Sequence, residues 1–428
     1  MSAPPATGAW PASGSERLSR RLVLALLSRI RGGVIEIVEP SRVIELGDRG
    51  CPKPITVSLH VHSPRFYSRL LRGSIGLCDS YMDGLWDCDD LVGLTRIAAL
   101  NVGSLDTLRR LLAPVLVPMQ RTAGMLARNT PGRSRRRIAA HYDLGNDLFE
   151  LFLDPTMMYS CAVFDPPDAT LEDASLAKLE RVCAKLDLGP DDHVLEIGTG
   201  WGGFAVYAAR HRGCRVTTTT ISREQHAYAV ARVREAGLQD RVTVLLEDYR
   251  DLRGSYDKLV SIEMIEAVGW EYLTTFFRCC SRLLREDGAM LLQAIVIDDR
   301  AYEVEKGGRS FINTYIFPGG CLPSMQAISR SVARSGDMRQ VHLEDITAHY
   351  ATTLAHWRER FHAGSHRLAG LGYDERFRRL WELYLCYCEG GFRERRIQDV
   401  QLVLAKPDYR GEPLHAIAAP AGADLAAA

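Results

Sequence analysis

The segment VLEIGTGWGG, Val194 to Gly203, places four glycines in its last six residues, directly after a short apolar run. A glycine loop between a strand and a helix lets backbone come close to a ligand. Gly198, Gly200 and Gly203 also satisfy the GxGxxG spacing of dinucleotide sites, so spacing alone leaves two ligands open. A dinucleotide site needs an acid at the tip of the second strand to hold ribose hydroxyls. Here that strand, RVTTTTIS, ends without one. Glu196 instead lies on the first strand, and Asp248 closes the third in LLEDYRDL. Acids at these two places suit S-adenosylmethionine, whose sulfonium and amino groups are cationic and which carries no pyrophosphate. A nicotinamide cofactor is the alternative.

The elements that must position this loop are legible as an alternation. ASLAKLERVCAKLDL reads as a helix, HVLEIG as a buried strand, FAVYAARHR as a helix and RVTTTTIS as a strand. REQHAYAVARVREAG follows as a helix with its glycine stop, then RVTVLLED as a strand. YDKLVSIEMIEAV runs from strand into helix, EYLTTFFRCCSRLLRED is a helix and AMLLQAIVID a strand. Strands separated by helices predict βαβ units and a parallel sheet, hence an α/β, Rossmann-like fold with helices on both faces. VQLVLAKP reads as a last strand, antiparallel, on the sheet edge.

A chain of 428 residues exceeds what one hydrophobic core serves, which predicts two domains. GVIEIVEP and ITVSLHVHS, followed by helical segments, predict a smaller N-terminal α+β domain over 15–112. APVLVP and NTPGRSRRR mark 113–137 as a linker, the catalytic domain covers 138–410, and 1–14 and 411–428 read as disordered tails. Lys plus Arg equals Asp plus Glu, so net charge names no partner, but 101–140 holds eight arginines against the single acid Asp106. Such a block attracts phosphates or an anionic surface. The eleven cysteines form no CxxC, which argues against a disulfide framework or a zinc site and for a reduced, cytoplasmic setting. No apolar run reaches the length of a membrane span, and RLSRRLVLALLSRIRGG reads as an amphipathic surface helix.

Eight motifs, in order, resemble the cyclopropane-fatty-acyl-phospholipid synthases and their relatives, the mycolic acid cyclopropane synthases. They are HYDLGNDLFELFLDPTMMYSCAVF (141–164), VLEIGTGWGGFA, TISREQ, DYRDL, SIEMIEAVG, YIFPGGCLPS, HYATTLAHWRERF and YLCYCEGGFRERRIQDVQLVL. The resemblance covers 138–407 strongly and 70–95 more loosely. It implies a class I methyltransferase fold and addition of a one-carbon unit from S-adenosylmethionine to a cis double bond of an acyl chain. An alkene is a poor nucleophile, so the sulfonium methyl must be held in line with the π bond. Transfer leaves a carbocation, which must be shielded until one proton is removed.

Aromatic faces can shield a cation, and Tyr142, Tyr159, Trp201, Tyr315 and Phe317 are candidates. For the base, the resemblance implies a bicarbonate ion cradled by Cys161, Glu266, Ile295 through its backbone, and Tyr350. It gives Glu263 a lesser claim. Where the family often carries histidine, this chain has Gln293, which can donate an N–H but cannot carry a proton away. For the cofactor it implies Tyr159, Ser160, Gly198, Thr199, Gly200, Thr220, Gln225, Asp248 and Tyr249, beside the Glu196 read from the strand pattern. His141, Tyr142 and Asp143 are read as a lid over it. The implied product is a cyclopropane fatty acid in phospholipid, with a 10-methylene acyl chain as the alternative that Gln293 keeps open. Expected partners are unsaturated phospholipid acyl chains at the inner membrane surface, reached by peripheral contact. A second copy of the chain is a further candidate partner, and nothing calls for nucleic acid or a metal.

Overall fold

The computed structural model describes residues 13–50, 54–102 and 145–411. The arginine-rich segment 113–137 and the expected lid at His141, Tyr142 and Asp143 lie outside them. The chain divides into two compact units, the first taking residues before 128 with Arg300–Pro318 and Leu354–Ile397, the second taking Arg128–Asp299, Gly319–Thr353 and the residues from Gln398 on.

In the first unit a four-stranded sheet runs in the order β2-β1-β3-β4. Its strands are β1 (Gly33–Glu39), β2 (Arg42–Gly47), β3 (Ile55–Val61) and β4 (Trp86–Cys88). β1 pairs parallel to β3 and antiparallel to β2. Helix α1 (Gly14–Leu27) starts at a capping box in which Ser13 and Glu16 bond reciprocally. It is anchored by Arg20, which grips Glu39 at 2.7 and 3.1 Å. Glu39 is buried and also accepts from Arg42 at 2.6 Å and from the Tyr67 hydroxyl at 2.5 Å. Burial alone would raise its pKa, but the hydrogen bonds from Arg20, Tyr67 and Arg42 outweigh it and hold it below the usual carboxylate value.

The sequence assigns all of 138–410 to one catalytic domain, yet two of its segments join the first unit for identifiable reasons. Arg379 stacks 4.0 Å from the Tyr81 ring and donates to the Tyr81 and Trp86 carbonyls at 2.6 and 2.7 Å. Tyr81 donates to Glu382 at 3.0 Å, and the Tyr315 hydroxyl donates to Asp79. Gly390 lets its helix close on Thr95, where a Cβ would come within 2.2 Å of the Thr95 hydroxyl.

The second unit carries a seven-stranded sheet in the order β10-β11-β9-β8-β5-β6-β7. The strands are β5 (His193–Ile197), β6 (Arg215–Thr219), β7 (Val242–Leu245), β8 (Tyr256–Ile262), β9 (Leu284–Ile297), β10 (Arg339–Asp345) and β11 (Ile397–Ala405). The pairs β5–β6, β6–β7, β5–β8 and β8–β9 are parallel. Alternate strand residues enter opposite cores. Leu195 and Ile197 pack with the helices Leu273–Leu283 and Met325–Ser335, and Val194 packs with Leu171–Lys185 and Gly203–Arg212. This is the α/β sheet covered on both faces that the alternation predicts. One expectation needs correction: the VQLVLAKP strand is not at the edge. β10 pairs antiparallel outside it, and its exposed, polar sequence RQVHLED hides it from an apolar-run reading.

The Glu39 cluster sets a stability test. Glu39→Ala leaves a guanidinium and a phenol without their acceptor in a buried place, and is expected to lower the unfolding free energy by about 3 kcal/mol. Glu45→Ala, which removes an exposed pair with Arg49, is expected to leave the denaturant midpoint in place.

Candidate active site

The glycine loop lies at the carboxyl end of β5, where chain order diverges to β6 on one side and β8 on the other. Ligands of open α/β sheets bind at such a switch point. Gly198, Gly200 and Gly202 have φ of 107°, 52° and 82°, a region that other residues rarely adopt. The Gly198 and Thr199 N–H groups both donate to the Thr219 carbonyl at 3.1 Å, which fixes the loop to the end of β6. A Cβ at Gly200 would meet nothing within 4 Å, so its backbone is open to a ligand.

The predicted cofactor residues gather around this loop. Thr199 bonds Thr218 at 2.7 Å, and Thr218 donates to Glu196 at 2.6 Å. Glu196 is buried, and burial raises its pKa to about 8 against the opposing effect of the Thr218 hydrogen bond. Thr220 donates to Gln225 at 2.9 Å, and Ser222 caps the helix that carries Gln225. Asp248 is held by Arg250 through Nε at 2.8 Å and Nη2 at 2.7 Å. Tyr249 packs edge-on against Phe276. Ser160 accepts from the buried Lys178 ammonium at 2.9 Å. Tyr159 joins Phe149, Phe152 and Trp201 in an aromatic cluster, with the Trp201 indole tied to Asn146 at 2.7 Å. An open glycine backbone flanked by two acids and a hydroxyl–amide pair suits S-adenosylmethionine. Tyr315 and Phe317 belong to the first unit, where Phe317 packs on Tyr384.

The end of β8 adjoins the loop. Ser261 donates to the Ile197 carbonyl at 3.0 Å, and a Cβ built at Gly198 would come within 3.1 Å of Met264. On either side of Met264 stand Glu263 and Glu266. Glu263 is not on a helix as the sequence suggests. It holds a left-handed φ of 47° before a short 3-10 turn, Ile265–Ala267. Three donors converge on its carboxylate: the Cys161 N–H at 2.8 Å, the Gln293 amide at 2.8 Å and the Tyr350 hydroxyl at 2.6 Å. Glu266 accepts from the Ile295 N–H at 2.6 Å, and its other oxygen is buried with no hydrogen-bond partner among the described residues.

Thus Cys161, Gln293 and Tyr350 meet on Glu263, while Ile295 meets Glu266 three residues further on. A further polar shell, which the sequence motifs do not mark, stands behind them. Gln293 donates its second N–H to Asp399 at 3.1 Å, Gln401 donates to Gln293 at 3.0 Å, and Lys185 donates to Gln401 at 2.5 Å. Asp399 and Gln401 are wholly buried on β11, and two polar residues at i, i+2 in QDVQLVL are the signal that could have revealed them. Burial, then the neighbouring Glu263, pushes the Glu266 pKa to about 8. Burial, then Glu263 and Glu266, holds the Asp399 carboxyl well above its usual range. Glu263 is raised too, by burial, while Tyr350, the Cys161 N–H and Gln293 oppose it. With most of the donors, Glu263 is the member best able to carry the negative charge. Burial also keeps the Cys161 thiol protonated, which is wrong for a nucleophile.

The bicarbonate cradle expected from the resemblance does not fit this arrangement. The Cys161 N–H, Gln293, the Ile295 N–H and the Tyr350 hydroxyl each already serve a protein carboxylate, and a free anion would meet the Glu263 carboxylate in a poorly hydrated space.

The sequence profile described as mycolic acid cyclopropane synthetase matches residues 130–402. The Mycobacterium tuberculosis tuberculostearic acid methyltransferase UfaA1 is 40% identical over 367 residues, 83% of this chain and 85% of its own. The Escherichia coli cyclopropane-fatty-acyl-phospholipid synthase is 41% identical over 351 residues, 81% and 87%. Among solved structures, mycolic acid cyclopropane synthase CmaA1 complexed with SAH and CTAB is similar with a TM-score of 0.60 and 33% identity, covering 64% of this chain and 98% of that one.

A substitution at the loop tests the cofactor assignment. Gly198→Ala must hold a strained φ and press on Met264, and is expected to weaken S-adenosylhomocysteine binding about tenfold or more by calorimetry.

Proposed function

The chain belongs to the mycolic acid cyclopropane synthetase family, and from that membership we propose that it adds a one-carbon unit to the cis double bond of unsaturated acyl chains in phospholipids. It is an S-adenosylmethionine-dependent enzyme of the methyltransferase class. The observation that carries the finer reading is the meeting of the open glycine loop with the carboxylate segment Glu263–Glu266 at the ends of β5 and β8. A cationic methyl donor and a group able to take a proton from the transferred methyl are the two things olefin methylation requires. Both chemistries converge on that one crevice.

When bound, S-adenosylmethionine supplies the electrophilic methyl. The protein's part is to orient, to exclude water and to manage charge. Gly198, Thr199 and Gly200 line the cofactor crevice, with Glu196, Thr220, Gln225, Asp248 and Tyr249 around it, and Tyr159 and Ser160 close by. The aromatic cluster of Tyr159, Phe149, Phe152 and Trp201 gives an apolar, π-rich wall suited to a carbocation. Cys161, Gln293 and Tyr350 hold a carboxylate at the crevice.

Loss of a proton from the new methyl gives cyclopropane if the electron pair closes on the cationic carbon. If a hydride first shifts from the methylated carbon to its neighbour, the same proton loss gives a 10-methylene chain. We take cyclopropane as the principal reading. The methylene product is favoured by Gln293, which spends both N–H groups on Glu263 and Asp399 and so positions rather than shuttles, and by the relative whose name is tuberculostearic acid methyltransferase.

Access to the lipid falls in this reading to the N-terminal unit and the arginine-rich segment 113–137, in peripheral contact with the inner membrane surface. Among the described residues no helix is long and apolar enough to cross a membrane. Helix α1 exposes Leu18, Leu22 and Leu26 at helical spacing, and residues 17–31 hold five arginines and no acid.

Two experiments test these statements. With methyl-labelled S-adenosylmethionine and dioleoyl phospholipid vesicles, mass spectrometry is expected to find each modified acyl chain heavier by CH2. NMR is expected to show ring protons, with exocyclic methylene protons marking the alternative. No added mass contradicts the function. The combined change Leu18→Ser, Leu22→Ser and Leu26→Ser is expected to lower sedimentation with anionic vesicles about tenfold. Turnover on detergent-dispersed phospholipid should stay unchanged, and unchanged vesicle binding contradicts the docking role of α1.

A further inference from the structure

We propose that Glu263 is the proton acceptor of the reaction, a built-in carboxylate that takes the place of a dissociable anion. The inference rests on the olefin-methylating function proposed above. Its basis is geometric. Tyr350, Gln293 and the Cys161 N–H come from three separate segments, and all three end on one carboxylate, at 2.6, 2.8 and 2.8 Å. Three donors around a trigonal group are what an anion-binding nest provides. Here the chain fills that nest itself.

Two further observations make Glu263 more than a structural tie. Cys161, Gln293 and Asp399 are wholly buried, whereas Glu263 is only partly so, and its chain neighbour Met264 lies against Gly198 of the glycine loop. In addition, Glu263 sits at a left-handed φ of 47°, a conformation better suited to glycine. A carboxylate kept at such a position despite its backbone preference points to a role for the side chain.

The step balances without another reactant. The olefin π pair forms a bond to the sulfonium methyl as the S–C bond breaks, leaving a thioether and a chain carbocation. Glu263, ionised, then takes a proton from the transferred methyl, and the C–H electron pair forms either the third ring bond or, after the hydride shift, the exocyclic C=C. The carboxyl formed on Glu263 returns its proton to solvent as the products leave. Before that step the ionised carboxylate also favours the neighbouring cation electrostatically in this proposal.

Removing the side chain reopens the nest, and this supplies the test. In carbon-dioxide-free buffer, wild-type turnover on oleoyl phospholipid is expected to match that with added bicarbonate. Glu263→Gly, which suits the local backbone, is expected to lose about 10²–10⁴ in kcat without bicarbonate and to regain at least tenfold when it is added. Glu263→Gln still fills the nest and is expected to bind S-adenosylhomocysteine normally, to be inactive and to gain nothing from bicarbonate. NMR of 13C-bicarbonate is expected to show binding to the Gly variant and none to wild type. The proposal is overturned if wild type stops without bicarbonate, if it binds the labelled ion, or if the Gly variant keeps its turnover in carbon-dioxide-free buffer. Failure of wild type to methylate oleoyl phospholipid under any condition would sink the function instead, and the NMR comparison would still decide what fills the nest.

Discussion

A carboxylate surrounded by protein must be compensated, and in the second unit the compensation of Glu263 organises everything near it. The donors come from the loop at Cys161, from β9 at Gln293 and from the helix beginning at Thr347 through Tyr350, while the Glu263 N–H donates to the Gln293 carbonyl at 2.8 Å. If any of these segments withdrew, it would leave a charge in a poorly hydrated place, at a cost of several kcal/mol. The acid therefore holds the segments as much as they hold it. The shell behind Gln293 continues the same logic: Asp399, Gln401 and Lys185 each satisfy part of the next group. One oxygen of Asp399 and one of Glu266 are left buried without partners among the described residues. These two groups also have raised pKa values, so the protonated forms soften the cost, and the cluster need carry less charge than three acids suggest.

The sheet explains why such a cluster adjoins the glycine loop at all. Parallel strands deliver their carboxyl ends to one side, and the divergence of chain order at β5 opens a crevice there. β5 ends in the glycine loop, β8 ends at Glu263, and they are adjacent strands in register, Val194 with Lys258 through Glu196 with Val260. Neighbouring strands lie about 5 Å apart, so two chain ends of different chemistry become one site. β9 carries Gln293 and Ile295 along the far side of β8. Residues separated by more than 130 positions, such as Cys161 and Gln293, meet because the sheet leaves their segments no other place.

The parallel sheet was legible because its strands are apolar runs between amphipathic helices, and the loop because glycine has few other reasons to cluster. β10 was not legible: an edge strand with one face in water shows no apolar run. The joining of Leu354–Ile397 to the N-terminal unit was hidden as well, since it depends on single contacts such as Arg379 on Tyr81 that no local pattern announces. At the site, the resemblance named Cys161, Glu266, Gln293, Ile295 and Tyr350, and the structure does bring these side chains and backbone groups together. What it did not convey was the centre around which they gather. Glu263 reads in sequence as one more acid near a helix start, and its significance appears only when three distant donors are seen to end on it. Asp399 and Gln401 are hidden for a related reason: two polar residues within an apolar strand do not announce in sequence that they face inward.

The chemistry then follows from charge placement. In the proposed reaction a carbocation formed between an aromatic wall and an ionised carboxylate is favoured by both, and the same carboxylate then removes a proton. The most direct measurement is a crystal structure with S-adenosylhomocysteine and a long-chain amphiphile bound. The expected result is the Glu263 carboxylate facing the gap between sulfur and alkyl chain, still bonded to Tyr350, Gln293 and the Cys161 N–H, with no separate anion among them. A Glu263 side chain turned away, with a small trigonal ion held by those three groups in its place, would contradict it.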